Sequence, residues 1–118
     1  MEAVIDTYCA AWNADDRASR TDLLERACRP EVVYVDPRTE VTGIAALVDW
    51  IEGVRQGRPG ARVVRTTALD THHDLVRFGW HLVLADGQTH LSGSVDVCVL
   101  EDGRLAKIMG FFGPAPRL

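Results

Sequence analysis

The strongest constraint on this chain is a hairpin close to its C-terminus. Residues 92–100 and 105–113 are two runs of strand-forming residues, joined by Glu101-Asp102-Gly103-Arg104. Asp-Gly between apolar runs specifies a tight antiparallel turn, because both central positions need backbone angles that few residues tolerate. Alternation along the first run separates Val95, Val97 and Val99 from Ser94, Asp96 and Cys98. Aspartate is depleted in strands, so Asp96 stands out. If its face is covered, it needs a partner or a function.

Upstream, the period changes from two to helical. Residues 2–13 carry Val4, Ile5, Tyr8, Ala11 and Trp12 on one stripe and predict a helix. Residues 16–29 predict a second, with Leu23, Leu24 and Ala27 apolar and Pro30 closing it. Residues 31–36 read as a short strand stopped by Pro37. A third helix is expected over 43–57, where Ile44, Leu47, Val48, Ile51 and Val54 recur at helical spacing. Residues 61–70 and 75–85 read as strands around a His72-His73-Asp74 corner. Asp86-Gly87 then turns the chain into a long strand from about Gln88. Helices first and antiparallel hairpins afterwards make an α+β fold, with the helices on one face of a curved sheet. The 118 residues suit a single domain, 1–118.

Composition narrows the function classes. A net charge of -4 lacks the basic footprint of a nucleic-acid binder. With no long apolar run and no signal-peptide pattern, neither a membrane partner nor export is expected, and the expected location is cytoplasmic. Cys9, Cys28 and Cys98 are odd in number and widely spaced, as reduced thiols would be. No Cys or His pair has metal-site spacing, so no metal is expected. His72 and His73 read as solvated corner residues.

The second-last hairpin leaves its faces open to two arrangements. Arg77, Gly79, His81 and Val83 share one face of residues 75–85; Val76, Phe78, Trp80, Leu82 and Leu84 share the other. In the first arrangement, Arg77, Gly79 and His81 join Ser94, Asp96, Ile108, Gly110 and Phe112 around a cavity roofed by helices. The apolar face of Phe78, Trp80 and Leu82, with Val95, Val97, Val99, Met109 and Phe111, is then buried in a homodimer. In the second, the apolar face packs on the helices and the mixed face meets water.

Several short stretches carry a family resemblance. Tyr8-Cys-Ala-Ala-Trp-Asn-Ala-Asp-Asp16, Val35-Asp36-Pro37, Gly43, Phe78-Gly-Trp80 and Asp102-Gly-Arg104 with Gly110-Phe-Phe-Gly113 make the chain similar to the nuclear transport factor 2-like superfamily. Its SnoaL-like branch and the ketosteroid isomerases are the nearest resemblance, which spans almost the whole chain. It implies a cone-shaped, curved antiparallel sheet, with the N-terminal helices packed over its concave face and enclosing a pocket. It also implies dimerisation through the outer sheet face, which selects the first arrangement above.

Ketosteroid isomerases place a tyrosine of the first helix and a protonated aspartate of a late strand against an oxyanion. An aspartate just before a proline moves the proton. Tyr8, Asp96 and Asp36 stand at the matching positions. The resemblance thus implies a cofactor-independent isomerase or cyclase, transferring a proton at a carbon beside a carbonyl of a small apolar or polyketide-like ligand. Arg77 and His81 are expected beside Asp96 as polar selectors, with Trp12, Val83, Ile108 and Phe112 as walls. A guanidinium there would hold Asp96 ionised and favour a more oxygenated ligand than a steroid. Arg77 and Asp96 together also resemble limonene epoxide hydrolases, although Gly79 stands where their second aspartate belongs. The competing reading makes Asp36-Pro37 a turn, Tyr8 a core phenol and Asp96 half of an ion pair. That describes a non-catalytic ligand-binding or dimerisation module.

Overall fold

A computed structural model describes residues 1–118, and its three helices follow the apolar stripes. Helix α1 (Glu2–Asn13) buries Ile5, Tyr8 and Ala11. Helix α2 (Arg17–Ala27) starts at Asp16, whose side chain accepts from the Ser19 N–H at 2.7 Å and satisfies one free helix donor. Helix α3 (Ile44–Gly57) buries Leu47, Val48 and Ile51. Arg20, 2% exposed, knots the three together. It donates to the carbonyls of Ala11 and Ala14 at the end of α1 and pairs with Glu52 of α3 at 2.9 Å. Arg55 adds a bond to the Trp12 carbonyl. These cations satisfy the C-terminal carbonyls of α1 and hold Tyr8 and Trp12 at a defined height over the sheet.

Seven strands form one curved, unclosed sheet: β1 (Cys28–Asp36), β2 (Thr39–Thr42), β3 (Arg62–Arg65), β4 (Asp70–His72), β5 (Leu75–Val83), β6 (Thr89–Glu101) and β7 (Arg104–Phe111). The order is β2-β1-β7-β6-β5-β3, with β4 beside β5. Asp102 and Gly103 take φ of 52° and 76°, so the Asp-Gly turn has positive φ at both centres, as its sequence requires. The α+β class holds, while its details sharpen. The second helix is shorter than its pattern, and Pro30 lies inside β1, at an irregular stretch where no ladder donor is missed. The 61–70 segment divides into β3 and β4. The sheet is also mixed, because β1 runs parallel to β7; hairpin turns cannot reveal so distant a pairing.

Register decides the faces. Phe78 pairs with Asp96, Val76 with Cys98 and Trp80 with Ser94, while Asp96 pairs with Gly110. The apolar face of β5 therefore lies on the same side as Asp96, beneath the helices. Phe78, Trp80 and Leu82 are 2%, 9% and 8% exposed, so the expected outer dimer face is not theirs. Arg77, Gly79 and His81 instead lie opposite Val97, Val95 and Val64 on the outer face. The physical reason is area. Two aromatics and a leucine lose more by staying wet than the valines of β6, at about 25 cal/mol per Å². The outer face keeps half-buried Val95, Val97, Val99 and Met109 and an exposed Phe111. No helix is long and apolar enough to cross a membrane.

Candidate active site

Between α1, α3 and the inner sheet face lies a cavity of about 260 Å³. Helix α1 contributes Tyr8, Cys9 and Trp12; β1 contributes Tyr34 and Asp36; α3 contributes Trp50 and Val54. The sheet closes it with Phe78, Trp80, Asp96 and, beyond β7, Phe112. All three tryptophans, both tyrosines and two of the three phenylalanines of the chain line this space. Arg38, Arg58, His90 and Leu91 also border it.

Two carboxyl groups share the floor. Asp36 ends β1 and is 9% exposed. Tyr34, two residues earlier and hence on the same face, donates its hydroxyl to Asp36 Oδ2 at 2.6 Å. The Arg38 backbone N–H donates to Oδ1 at 2.8 Å. The Asp-Pro turn is thus real, yet it uses only one oxygen. Burial, reinforced by the Asp36 hydrogen bond and charge, keeps the Tyr34 phenol far above its ordinary range and hence protonated.

Asp96 is 6% exposed and accepts one hydrogen bond, from Trp80 Nε1 at 2.9 Å. No cation reaches it. Burial pushes its carboxyl up to about 7; the Trp80 bond pulls it down, and the Asp36 charge adds to the rise. Near neutral pH, the protonated acid is therefore well populated. Gly110 lies between the two acids on β7. A Cβ there would approach Asp96 Oδ1 to 3.1 Å and Asp36 Cβ to 3.5 Å. A methyl there would rest in ordinary contact with Asp36 and press the Asp96 carboxyl back by a few tenths of an ångström.

Tyr8 is 2% exposed, and its hydroxyl oxygen accepts from Trp12 Nε1 at 2.9 Å. Its own proton has no acceptor within the chain. Burial, with the Asp96 charge, raises the phenol well above its usual value, so Tyr8 remains a donor. Phe112 meets the Trp80 ring edge-on, with centroids 6.1 Å apart. Trp50 Nε1 is buried without an acceptor.

Of the residues singled out by sequence, Tyr8, Asp36, Asp96, Trp12 and Phe112 converge on the cavity. Arg77, His81 and Val83 do not, because they occupy the opposite face of β5. Arg77 pairs there with Asp70 at 2.5 Å. The expected depression of the Asp96 pKa is accordingly replaced by a rise, and the arginine–aspartate pair of an epoxide hydrolase does not form. Ile108 is fully buried in the core beside Cys98 rather than on the wall. No group of three or more His, Cys, Asp or Glu is placed to hold a metal ion.

Sequence reasoning missed Tyr34, Arg38, Trp50, Trp80, Arg58 and His90. Tyr34 was open to discovery through its spacing of two from Asp36. His90 was not. The ladder shifts register between Trp80 and Leu82, and Leu91 takes φ of 58°, an angle that costs a branched residue about 1–3 kcal/mol. The bulge brings the consecutive residues His90 and Leu91 to the same cavity, which no period-two pattern can indicate.

The sequence pattern of the SnoaL-like domain matches residues 5–108. No curated protein matches the chain by sequence. Among solved structures, a candidate isomerase of the SnoaL-like family from Agrobacterium tumefaciens str. C58 is 34% identical. The match covers 95% of this chain and 96% of that one, with a TM-score of 0.89. A candidate SnoaL-like polyketide cyclase from Jannaschia Sp. CCS1 is 20% identical over 93% and 82% of the two chains, with a TM-score of 0.72. A protein of ketosteroid isomerase-like fold from Catenulispora acidiphila DSM 44928, in complex with trimethylamine, is 12% identical over 93% and 85%, with a TM-score of 0.73. These last two speak for the fold alone.

Proposed function

The chain belongs to the SnoaL-like domain family, and from that premise we propose that it is a cofactor-independent isomerase or cyclase. It moves a proton at a carbon beside a carbonyl. One observation carries the reading: two carboxyl groups on one cavity floor have different surroundings. Asp36 accepts two hydrogen bonds, from Tyr34 and the Arg38 N–H, which suits an anion and hence a base. Asp96, buried with a single donor, is pushed up to about 7 and can give a proton.

In this reading Asp36 takes the proton from the carbon next to the carbonyl, and the electron pair moves to the carbonyl oxygen. Tyr8 and protonated Asp96 donate to that oxygen, while Trp12 fixes the Tyr8 hydroxyl. Protonated Asp36 then returns the proton to a second carbon, which isomerises the substrate; attack of the enolate on another carbonyl would close a ring instead. The low-dielectric aromatic wall strengthens each of these interactions. The Agrobacterium relative, itself named as a candidate isomerase, agrees with this class.

The test is deuterium wash-in at the acidic carbon of 2-tetralone, followed by NMR. Wild-type protein accelerates exchange; Asp36→Asn lowers the enzymatic rate about 10²- to 10⁴-fold, and Asp96→Ala about 10²-fold or more. Exchange that is equal in Asp36→Asn and wild type overturns the proposal. It leaves a module that binds ligands without turning them over.

A further inference from the structure

We infer that the substrate is a one- or two-ring enolisable carbonyl compound carrying an anionic group. Its carbonyl meets Tyr8 and Asp96, and its anion meets Arg38 and Arg58. The inference rests on the proposed chemistry of the same cavity and adds the kind of molecule that fits. Seven of the twelve arginines are paired with carboxylates: Arg17, Arg20, Arg26, Arg29, Arg55, Arg65 and Arg77. Arg38 and Arg58, the two that border the cavity, have no such partner.

Arg38 makes the point best. Of the two acids nearest in sequence, Asp36 receives only its backbone N–H and Glu40 makes no ion pair with it, while the guanidinium lies over the Trp50 ring, 5.7 Å from the centroid. Trp50, Val54 and Arg58 recur every four residues along α3 and its C-terminal cap, so one stripe runs from cation–π stack to free cation. The cavity is therefore polarised, with acids on the floor and unpaired cations on the rim. An anion at the floor would meet Asp36; at the rim it enters the field of two guanidinium groups, each suited to carboxylate geometry. About 260 Å³ falls below the ~300–1,000 Å³ of sites for drug-sized ligands, and the aromatic wall suits flat rings.

Calorimetric titration at low ionic strength with 2-naphthol and 6-hydroxy-2-naphthoate, two phenols that imitate the enol, tests this. The carboxylate is expected to bind about tenfold tighter than the neutral phenol, by charge-assisted pairing. That ratio falls below about twofold in R38Q/R58Q and survives in R62Q, which removes an unpaired arginine outside the cavity. If loss of the Trp50 stack perturbs R38Q, then R58Q alone still lowers the ratio about threefold. Equal binding of both phenols by wild type overturns the inference and leaves the proposed chemistry standing. So does a ratio that is unchanged in R58Q or lost in R62Q. If neither phenol binds, both readings fall together.

Discussion

Charged groups lie on both faces of the sheet around β5, with opposite consequences. Inside, Asp96 has an indole donor and no counter-ion, and its carboxyl is pushed up to about 7. Outside, Arg77 and Asp70 pair at 2.5 Å with side chains 63% and 61% exposed. A salt bridge in water contributes little. A lone acid in an aromatic box is made reactive by what is missing around it. What separates the two faces is access to water.

After the loss of turnover in Asp36→Asn, the largest expected effect is on stability at Asp96. An unfolded aspartate titrates near about 3.9, whereas the folded carboxyl holds its proton to about 7. The stability this contributes is fully present below about pH 4 and is lost as pH rises through 7, because the folded state must then keep a buried charge. The loss amounts to a few kcal/mol, on the order of 1.4 per pH step of raised pKa. Asp96→Asn should flatten this decline and exceed wild type in urea midpoint at pH 8. Parallel wild-type and variant curves from pH 5 to 8 would show the inner face to be as well solvated as the outer.

Gly110→Ala sharpens the inner side of the comparison. The added methyl presses on Asp96 Oδ1 at 3.1 Å, and a displacement of a few tenths of an ångström in a catalytic acid costs about tenfold in exchange rate. Measured with 2-tetralone, a rate equal to wild type would mean that Asp96 does not meet the carbonyl. The smallest effect belongs to Arg77→Ala. It should cost under about 1 kcal/mol in stability and leave exchange unchanged. A tenfold drop in exchange would break the comparison, since it would place Arg77 on the inner side.

Much of the molecule was legible. The stripes Ile5–Tyr8–Ala11 and Leu47–Val48–Ile51 announced α1 and α3, because helical period is a local property. Asp102-Gly103 announced its turn, since few residues accept positive φ. Tyr8, Asp36 and Asp96 were singled out by type and family resemblance, and the fold brings them to one cavity. Arg77 and His81 were misplaced for a single reason. Each strand's two faces were separated correctly, but β5 was joined to β6 in the wrong phase. Trp80 was therefore read as a dimer contact, although it is the residue that hydrogen-bonds Asp96.

By itself, then, the sequence determined which segments are helices, where the hairpins turn and which side chains share a face within one strand. These depend on neighbours a few residues apart. Tertiary structure alone decided which face of β5 lies beside Asp96, how the bulge at Leu91 aims His90, and that β1 joins β7 in parallel. A strand's alternation is the same viewed from either side. Only cross-strand register and competition for buried area choose between the sides, and that choice set the proton affinity of Asp96.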